Sequence, residues 1–262
     1  MLPLQRKQML LNYLAQHGAA TMKELSDHFG VSEMTVRRDL SGLEQENRVR
    51  RSHGGAVFLG TLPAPEEPEA SVKQSRNRDV KQRLAAYAAE TFIRERDVII
   101  LENGTTVSRM AESLGGYTEL TVLTNGVDTM NLFRPLVTDR RSMICGGGML
   151  REVSGTFVGP LAEQFFASYH ADTLFISALG FTAEDGFTDP NLMDTQVKKA
   201  MIQSSDKVVM ILDASKIGNR YFTTVAQLSD IDIFVTDSSI QDADRVLIES
   251  SGTELHIVDI NL

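Results

Sequence analysis

From residue 97 onward, short apolar runs alternate with segments of helical periodicity. The seven apolar runs are residues 97–101, 120–125, 142–146, 172–178, 207–213, 231–237 and 254–259. Helical segments near residues 106–114, 127–134, 159–169, 194–205 and 240–251 separate most of them. Continuous runs of Val, Ile and Leu are typical of strands that are buried on both faces. The alternation therefore predicts an α/β fold with a largely parallel sheet covered by helices on both sides.

The first 58 residues predict a different structure, with three helices followed by a hairpin. Apolar residues at helical spacing indicate a first helix over residues 4–16. The hydroxyl of Thr21 can cap a second helix and Ser32 a third. The stretch RVRRSHGGAVF, residues 48–58, then predicts a two-stranded wing that turns at its Gly-Gly pair. This order is that of a winged helix-turn-helix, whose recognition helix enters the major groove of DNA.

The third helix has an apolar face and a polar face. At 100° per residue, Val36, Leu40 and Leu43 lie on one side and Met34 and Arg38 on the other. Basic residues in the wing can neutralise phosphates beside the helix. The candidate DNA-binding residues are Ser32, Met34, Thr35, Arg37, Arg38, Ser41, Arg48, Arg50, Arg51 and His53.

The two parts of the chain differ in net charge. Residues 1–58 hold eight Lys/Arg and six Asp/Glu, whereas the whole chain has a formal net charge of -9. Because the acidic remainder would repel nucleic acid, binding to double-stranded operator DNA must use the N-terminal part. A second interpretation stays open, in which Arg37 and Arg38 form a solvated face and Asp39 holds an ion pair within its own helix.

A proline-rich stretch separates the two parts. Residues 59–71, LGTLPAPEEPEAS, contain three prolines and three glutamates and predict an extended linker. The expected organisation is a winged helix-turn-helix domain over residues 1–58, this linker, and an α/β sensor domain over residues 72–262. Helical character resumes over residues 72–93.

Polar and glycine-rich turns follow several predicted strands, where ligands of such sheets bind. ENGTT, residues 102–106, offers backbone amides and the hydroxyls of Thr105 and Thr106 to an anion. Asn125, the GGG of residues 146–148 with Arg151, and the DASK of residues 213–216 follow other strands. Together they predict a phosphosugar pocket, in which Asn125 and Asp213 bind sugar hydroxyls.

The N-terminal pattern resembles the DeoR family of bacterial transcription regulators. The HGGA of residues 53–56 matches the wing of that family, and Asn47 departs from its usual glycine. The matching residues are Arg6, Leu10, Leu14, Ser32, Thr35, Val36, Arg37, Arg38, Asp39 and Leu40.

The resemblance covers about residues 6–240 and implies a sensor domain similar in fold to ribose-5-phosphate isomerase. Such a domain typically senses a phosphorylated sugar or related metabolite. Glu102 and Asn103 depart from the family pattern before GTT. The ligand of a relative therefore cannot be assumed for this chain. The effector-binding candidates are Glu102, Asn103, Gly104, Thr105, Thr106, Asn125, Gly147, Arg151, Asp172, Lys198, Asp213 and Lys216.

The alternative to a regulator is a sugar-phosphate isomerase. Glu102, Asp172 or Asp213 could act as a general base, while Lys216 or Arg151 stabilised an enediolate. An isomerase needs no winged helix, and a shared fold does not carry function. The sequence therefore favours a repressor of a sugar-metabolism operon, without catalytic residues, that a phosphorylated sugar controls.

Composition and residue spacing bear on disulfides, membrane spans and metal sites. The single cysteine, Cys145, excludes an intramolecular disulfide and suits a reducing cytoplasm. No run of eighteen apolar residues indicates a membrane span, and the five histidines lack metal-ligand spacing. We expect a cytoplasmic protein without a cofactor or metal. We also expect a homodimer or homotetramer, because a two-fold pair of small DNA-binding domains doubles the site.

Overall fold

The computed structural model describes residues 6–7, 9–11, 13–14, 19–45, 49–52, 54–58 and 67–260. The chain divides into two compact units, Met1–Pro63 and Ala64–Leu262. Each unit has its own buried core.

The first unit combines three helices with a small antiparallel sheet. The described residues between 6 and 14 are helical and form α1. The other elements are β1 (Ala19–Thr21), α2 (Met22–Phe29), α3 (Glu33–Gln45), β2 (Val49–Ser52) and β3 (Gly55–Phe58). The strands pair in the order β1-β3-β2. Strand β1 was not expected from the sequence, and it extends the wing to three strands.

Local sequence signals set the ends of α2. Thr21 and Glu24 form a capping box, in which the Thr21 hydroxyl accepts a hydrogen bond from the Glu24 amide and the Glu24 carboxylate accepts one from the Thr21 amide. Gly30 ends the helix with φ 62°, a left-handed conformation that glycine adopts without steric cost. The cap at Thr21 is as predicted.

A seven-stranded sheet organises the second unit. Its strand order is β15-β14-β12-β9-β4-β5-β6, and every neighbouring pair is parallel. Each strand lies within or overlaps one of the seven predicted runs, so the α/β prediction is confirmed. The strands are β4 (Val98–Leu101), β5 (Leu120–Thr124), β6 (Arg141–Cys145), β9 (Thr173–Ile176), β12 (Val208–Ile211), β14 (Ile233–Asp237) and β15 (Glu254–Val258).

Both faces of the sheet are buried. Along β4, Ile100 packs into one core while Ile99 and Leu101 pack into the other. Because successive side chains of a strand point to opposite faces, this division requires an apolar cover on each side. Helix α4 (Ala70–Ser75) precedes the segments that cover the sheet. The covering segments are α5 (Arg78–Phe92), a 3-10 helix (Val107–Gly116), α6 (Val127–Phe133), α7 (Pro160–Ala167), α8 (Leu192–Gln203) and α9 (Asp242–Ser250).

The helix expected over residues 72–93 is broken into α4 and α5. Asn77 interrupts it with φ 53°, and its side-chain amide donates to Asp213 Oδ1 over 2.9 Å. Asparagine tolerates this left-handed conformation better than most residues. Helix α4 also begins at Ala70, inside the predicted linker, whereas residues 59–66 lie outside the described part.

Two small antiparallel sheets lie beside the main sheet and were not expected from the sequence. Strands β7 (Met149–Arg151) and β8 (Thr156–Val158) form one, and β10 (Gly180–Thr182), β11 (Gly186–Asp189) and β13 (Thr223–Ala226) form the other. Their strands are three or four residues long, too short for a clear period of two. Across the described residues, no helix has the length and apolar content that crossing a membrane requires.

Candidate functional sites

Helix α3 presents the two faces that its sequence predicts. Val36, Leu40 and Leu43 are buried in the core of the first unit. Arg37 and Arg38 are exposed, and the side chain of Met34 is 75% exposed. At the start of the helix, Ser32 Oγ accepts a hydrogen bond from the Thr35 amide over 3.3 Å. The exposed face is therefore free to meet a DNA groove.

A buried ion pair holds α3 against α1. Arg6 Nε lies 2.5 Å from Asp39 Oδ2, and both residues are at least 93% buried. The interpretation that Asp39 pairs within its own helix is thus wrong, because its partner comes from a different helix. A sequence pattern could not show this pair, since 33 residues separate the two groups.

The wing is braced to α3 by one of the predicted DNA-binding arginines. Arg51 Nε lies 2.6 Å from Glu44 Oε2, and Arg51 Nη1 donates to Ser41 Oγ over 2.7 Å. Arg51 and Ser41 are therefore hydrogen-bonded to each other within the first unit. Arg50, by contrast, is exposed. Arg48 and His53 lie outside the described residues.

In the second unit, a cleft opens where the strand order reverses. The chain runs outward from β4 through β5 to β6 and then returns to β9 on the other side of β4. Ligands of open α/β sheets bind at such a switch point, beyond the carboxyl ends of the strands. The cleft encloses about 640 Å³, including the part open to solvent, and Glu102 and Ser177 line it directly after β4 and β9.

Gly104 lets the loop after β4 approach the end of β9. A Cβ atom at this position would lie 2.7 Å from Glu102 Oε2 and 3.1 Å from Ser177 Cβ. The Gly104 amide donates to Glu102 Oε2 over 2.7 Å, which fixes the carboxylate at the cleft wall. Thr105 also lines the cleft.

Lys198 lies at the centre of a buried ion network in the cleft. Its Nζ is 2.6 Å from Asp189 Oδ2 and 3.3 Å from Glu102 Oε1, and it donates to the Ser177 carbonyl over 2.7 Å. Burial opposes the charge of Lys198, but Asp189 and Glu102 outweigh it and raise the pKa of Lys198 above its usual value. Burial raises the pKa of Glu102. Such a fixed set of donors and acceptors suits sugar hydroxyls.

Two further lysines, Lys216 and Lys81, add positive charge near the Lys198 network. Lys216 lines the cleft, and its Nζ donates to the Ala178 carbonyl over 2.8 Å. Lys81, on α5, is 2% exposed, and burial together with the nearby charge of Lys216 lowers its pKa to about 8. Burial also lowers the pKa of Lys216. Asp213 stabilises both ammonium groups, whereas the charges of Arg109 and Arg76 further lower the pKa of Lys81.

Several residues that were predicted to bind the effector lie outside the cleft lining or bond to neighbouring loops. Thr106 and Asn125 are buried outside the cleft lining, and Gly147 is exposed between β6 and β7. Asn103 lines the cleft, but its amide donates to the Ser154 and Gly155 carbonyls and accepts from Thr129. The side chain of Asn103 therefore joins neighbouring loops at the cleft wall.

Asp172 was predicted to bind the effector, and the structure places it elsewhere. This residue precedes β9, is exposed, and accepts a hydrogen bond from the Val98 amide over 2.7 Å. In a parallel sheet, the start of a strand is at the edge opposite its carboxyl end. Asp172 therefore lies away from the cleft and can contribute neither to effector binding nor to the isomerase hypothesis.

Arg151 and Asp213 support the cleft without appearing among its lining residues. Arg151 Nη1 lies 2.7 Å from Asp194 Oδ2, and Asp194 does line the cleft. The sequence pattern did not indicate Asp194 or Asp189, because no glycine-rich turn marks them. Other missed lining residues are Glu67, Lys73, Gln74, Asp128, Val153, Ser154, Thr156, Ser177, Ala178, Leu179 and Pro190.

Comparison with known proteins assigns both units. Residues 6–61 match the DeoR-like helix-turn-helix domain, and residues 76–238 match the DeoR C terminal sensor domain. The chain belongs to the DeoR family. As a member of this family it is a DNA-binding transcriptional regulator rather than an enzyme.

Individual DeoR-family relatives align along nearly the whole chain. The HTH-type transcriptional regulator YulB of Bacillus subtilis is 35% identical over 100% of this chain and 99% of its own. GlpR of Haloferax volcanii is 33% identical, with 96% of each chain covered. The transcriptional repressor AccR of Agrobacterium fabrum is 31% identical, covering 95% of this chain and 94% of its own.

Solved structures show a more distant likeness. Ribose 5-phosphate isomerase A of Methanocaldococcus jannaschii has 17% identity and a TM-score of 0.39, covering 54% of this chain and 55% of its own.

Proposed function

We propose that this DeoR-family regulator is a repressor of a sugar-metabolism operon whose second unit binds a phosphorylated sugar. The relative AccR is named a transcriptional repressor, which supports repression. The ligand class is inferred from one observation, the placement of Lys81 and Lys216 beside a polar cleft. An anion would relieve the repulsion between these two ammonium groups.

The phosphate would bind beside Lys216 and Lys81. Gly104 and Thr105, which line the cleft, lie in the loop that precedes the 3-10 helix Val107–Gly116, so the backbone amides and the Thr105 hydroxyl of this loop could bind the phosphate. The network of Lys198, Asp189 and Glu102 then offers charged partners for the hydroxyls of the sugar. Hydrogen bonds to charged groups contribute about 1.5–3 kcal/mol each, so the network can select among sugars.

The DNA interface consists of the exposed face of α3 and the wing. Arg37, Arg38 and Met34 would face the major groove, and Arg50 would contact phosphate. Ligand binding changes operator affinity only if the ligand prefers one state of the protein over another.

We also propose that the regulator acts as a homodimer or homotetramer. One recognition helix reads a short half-site, and two-fold symmetry doubles the site that is read. Light scattering on the protein bound to operator DNA measures the number of chains, and a single chain per operator contradicts this proposal.

The test of function is a fluorescence-anisotropy titration against the DNA upstream of the regulator's own gene. It is carried out at fixed salt with and without a panel of sugar phosphates. We expect selective, salt-sensitive binding that one sugar phosphate shifts, and a Lys216→Met variant that still binds DNA but no longer responds. Equal affinity for unrelated DNA would contradict operator recognition.

A further inference from the structure

The segment that follows the first unit forms one wall of the cleft. Residues 67–75, termed the strap, supply Glu67, Lys73 and Gln74 to the cleft lining. Only residues 64–66 separate Glu67 from Pro63, where the first unit ends. The chain that leaves the DNA-binding unit therefore enters the wall of the proposed effector site within a few residues.

The carboxylate of Glu67 binds two cations of the cleft wall. Its Oε2 lies 2.5 Å from Arg151 Nη2, and its Oε1 lies 2.9 Å from Lys73 Nζ. The side chain of Glu67 is only 12% exposed. Burial raises its pKa, but the hydrogen bonds from Arg151 and Lys73 outweigh burial and hold the pKa of Glu67 below its usual value. Glu67 is thus a fixed internal anion.

These groups make a cluster whose charges balance. Arg151 also pairs with Asp194, whose Oδ1 accepts from Thr156 over 2.6 Å, so two cations face two carboxylates. Another anion at Arg151 and Lys73 would leave an excess negative charge among poorly exposed groups, which is costly. The cluster can accept an anionic ligand group if Glu67 leaves.

We propose that Glu67 is an internal competitor of the effector, and that an effector with a second anionic group displaces it from Arg151 and Lys73. This inference rests on the proposed function, because the first anionic group is the phosphate at Lys81 and Lys216. A carboxylate is the closest replacement for the Glu67 side chain. The effector class is therefore a phosphorylated sugar acid.

Displacement would act directly on the strap. Glu67 is the first residue of the strap. The strap also contacts the rest of the second unit through Lys73 Nζ, which donates to the Val153 carbonyl over 3.2 Å, through the Lys73 carbonyl, which accepts from Lys81, and through Gln74 Nε2, which donates to Asp128 Oδ2 over 3.2 Å. When Glu67 leaves, the chain between the two units gains freedom at its point of attachment. Effector occupancy is then transmitted to the DNA-binding unit through the chain itself.

The test compares the full-length protein with Glu67→Gln, Lys73→Met and Glu69→Gln. Glu69→Gln is the matched control, because Glu69 is exposed and makes no side-chain capping bond at α4. Calorimetry measures binding of 6-phosphogluconate, which carries a phosphate and a carboxylate, and of ribose 5-phosphate, which carries a phosphate alone. Hydrogen exchange measures protection of residues 67–75, and circular dichroism checks folding.

We expect Glu67→Gln to bind 6-phosphogluconate at least tenfold more tightly and ribose 5-phosphate less than twofold more tightly than the wild type. Without ligand, hydrogen exchange over residues 67–75 should be faster in Glu67→Gln than in the wild type. Lys73→Met should also loosen the strap but gain no affinity, because it lacks a cation that the ligand needs. Glu69→Gln should match the wild type in every measurement.

Two results would overturn the inference: an unchanged 6-phosphogluconate affinity in Glu67→Gln, or unchanged exchange in its strap. Operator binding is measured on the same samples, so that failure of the proposed function is recognised separately. If no variant and no wild-type sample binds operator while Glu67→Gln still gains affinity, the regulatory function fails and the competitor role stands.

Discussion

The guanidinium of Arg6 reaches across the first unit to the carboxylate of Asp39, with 2.5 Å between Nε and Oδ2. Asp39 follows Arg38 directly, so the residue that anchors α3 to α1 is the neighbour of one that would contact DNA. Anchoring one side of a helix restricts the orientation of the other side. The pair, which is itself buried, therefore positions the recognition face.

Asp39→Asn should lower both the melting temperature of the first unit and operator affinity. The substitution leaves the guanidinium of Arg6 buried without its counter-charge, which destabilises a protein more than loss of a surface pair. Thermal unfolding and anisotropy measure the two effects. Asp27→Asn, on the exposed side of α2, is the control and should change neither. Equal melting temperatures for the two variants would show that the ion pair is dispensable.

Arg38→Ala and Arg37→Ala should each weaken operator binding by about 1–3 kcal/mol, the usual value of a productive contact with a base or phosphate. Anisotropy with specific and scrambled DNA measures the loss. Lys199→Ala removes an exposed charge from α8 in the second unit and is the control. If both arginine variants bind like this control, α3 does not dock in the proposed way.

Two wing arginines should behave differently from each other. Arg50→Ala removes an exposed cation and should flatten the salt dependence of binding for all DNA sequences alike. Arg51→Ala breaks the brace to Glu44 and Ser41, so it should reduce thermal stability as well. Titrations at several salt concentrations, together with melting curves, separate the two effects. A lower melting temperature for Arg50→Ala but not for Arg51→Ala would reverse this assignment.

Effector affinity should fall as the pH rises above about 8, where Lys81 loses its proton in the free protein. The bound phosphate favours the charged lysine, so binding takes up a proton above this pH, and affinity drops by up to about tenfold per pH unit. Calorimetry between pH 7 and 9.5 measures the slope. Lys81→Arg keeps its charge over this range and should flatten the dependence. A wild-type affinity independent of pH would remove Lys81 from the phosphate site.

Asp172→Asn should leave effector affinity within about twofold of wild type, because Asp172 lies at the opposite edge of the sheet. Glu102→Gln should weaken binding by about 1.5–3 kcal/mol, the contribution of a hydrogen bond to a charged group. The two substitutions make the same chemical change of carboxylate to amide. Calorimetry with the effector compares them, and a larger loss for Asp172→Asn would place the site elsewhere.

Much of the fold could be predicted from local signals. The capping residue Thr21 and the terminal Gly30 mark α2 because caps depend on neighbouring backbone groups. The seven apolar runs predict a parallel sheet because a strand buried on both faces needs apolar residues on both. The helix break at Asn77 was not predicted; there the Asn77 side chain donates to Asp213, 136 residues away, a contact that no local pattern reports.

The sequence by itself determined where strands end, and hence that the loop from Glu102 to Thr106 would lie at the carboxyl edge. Only the tertiary structure decided which side chains meet there. Lys81 and Glu67 come from segments with no ligand-like motif, and they enter the site through the packing of α5 and the strap. Local patterns report helix and strand period, because these depend on near neighbours along the chain. Charge pairing in the cleft depends on distances between remote segments, which only the folded chain sets.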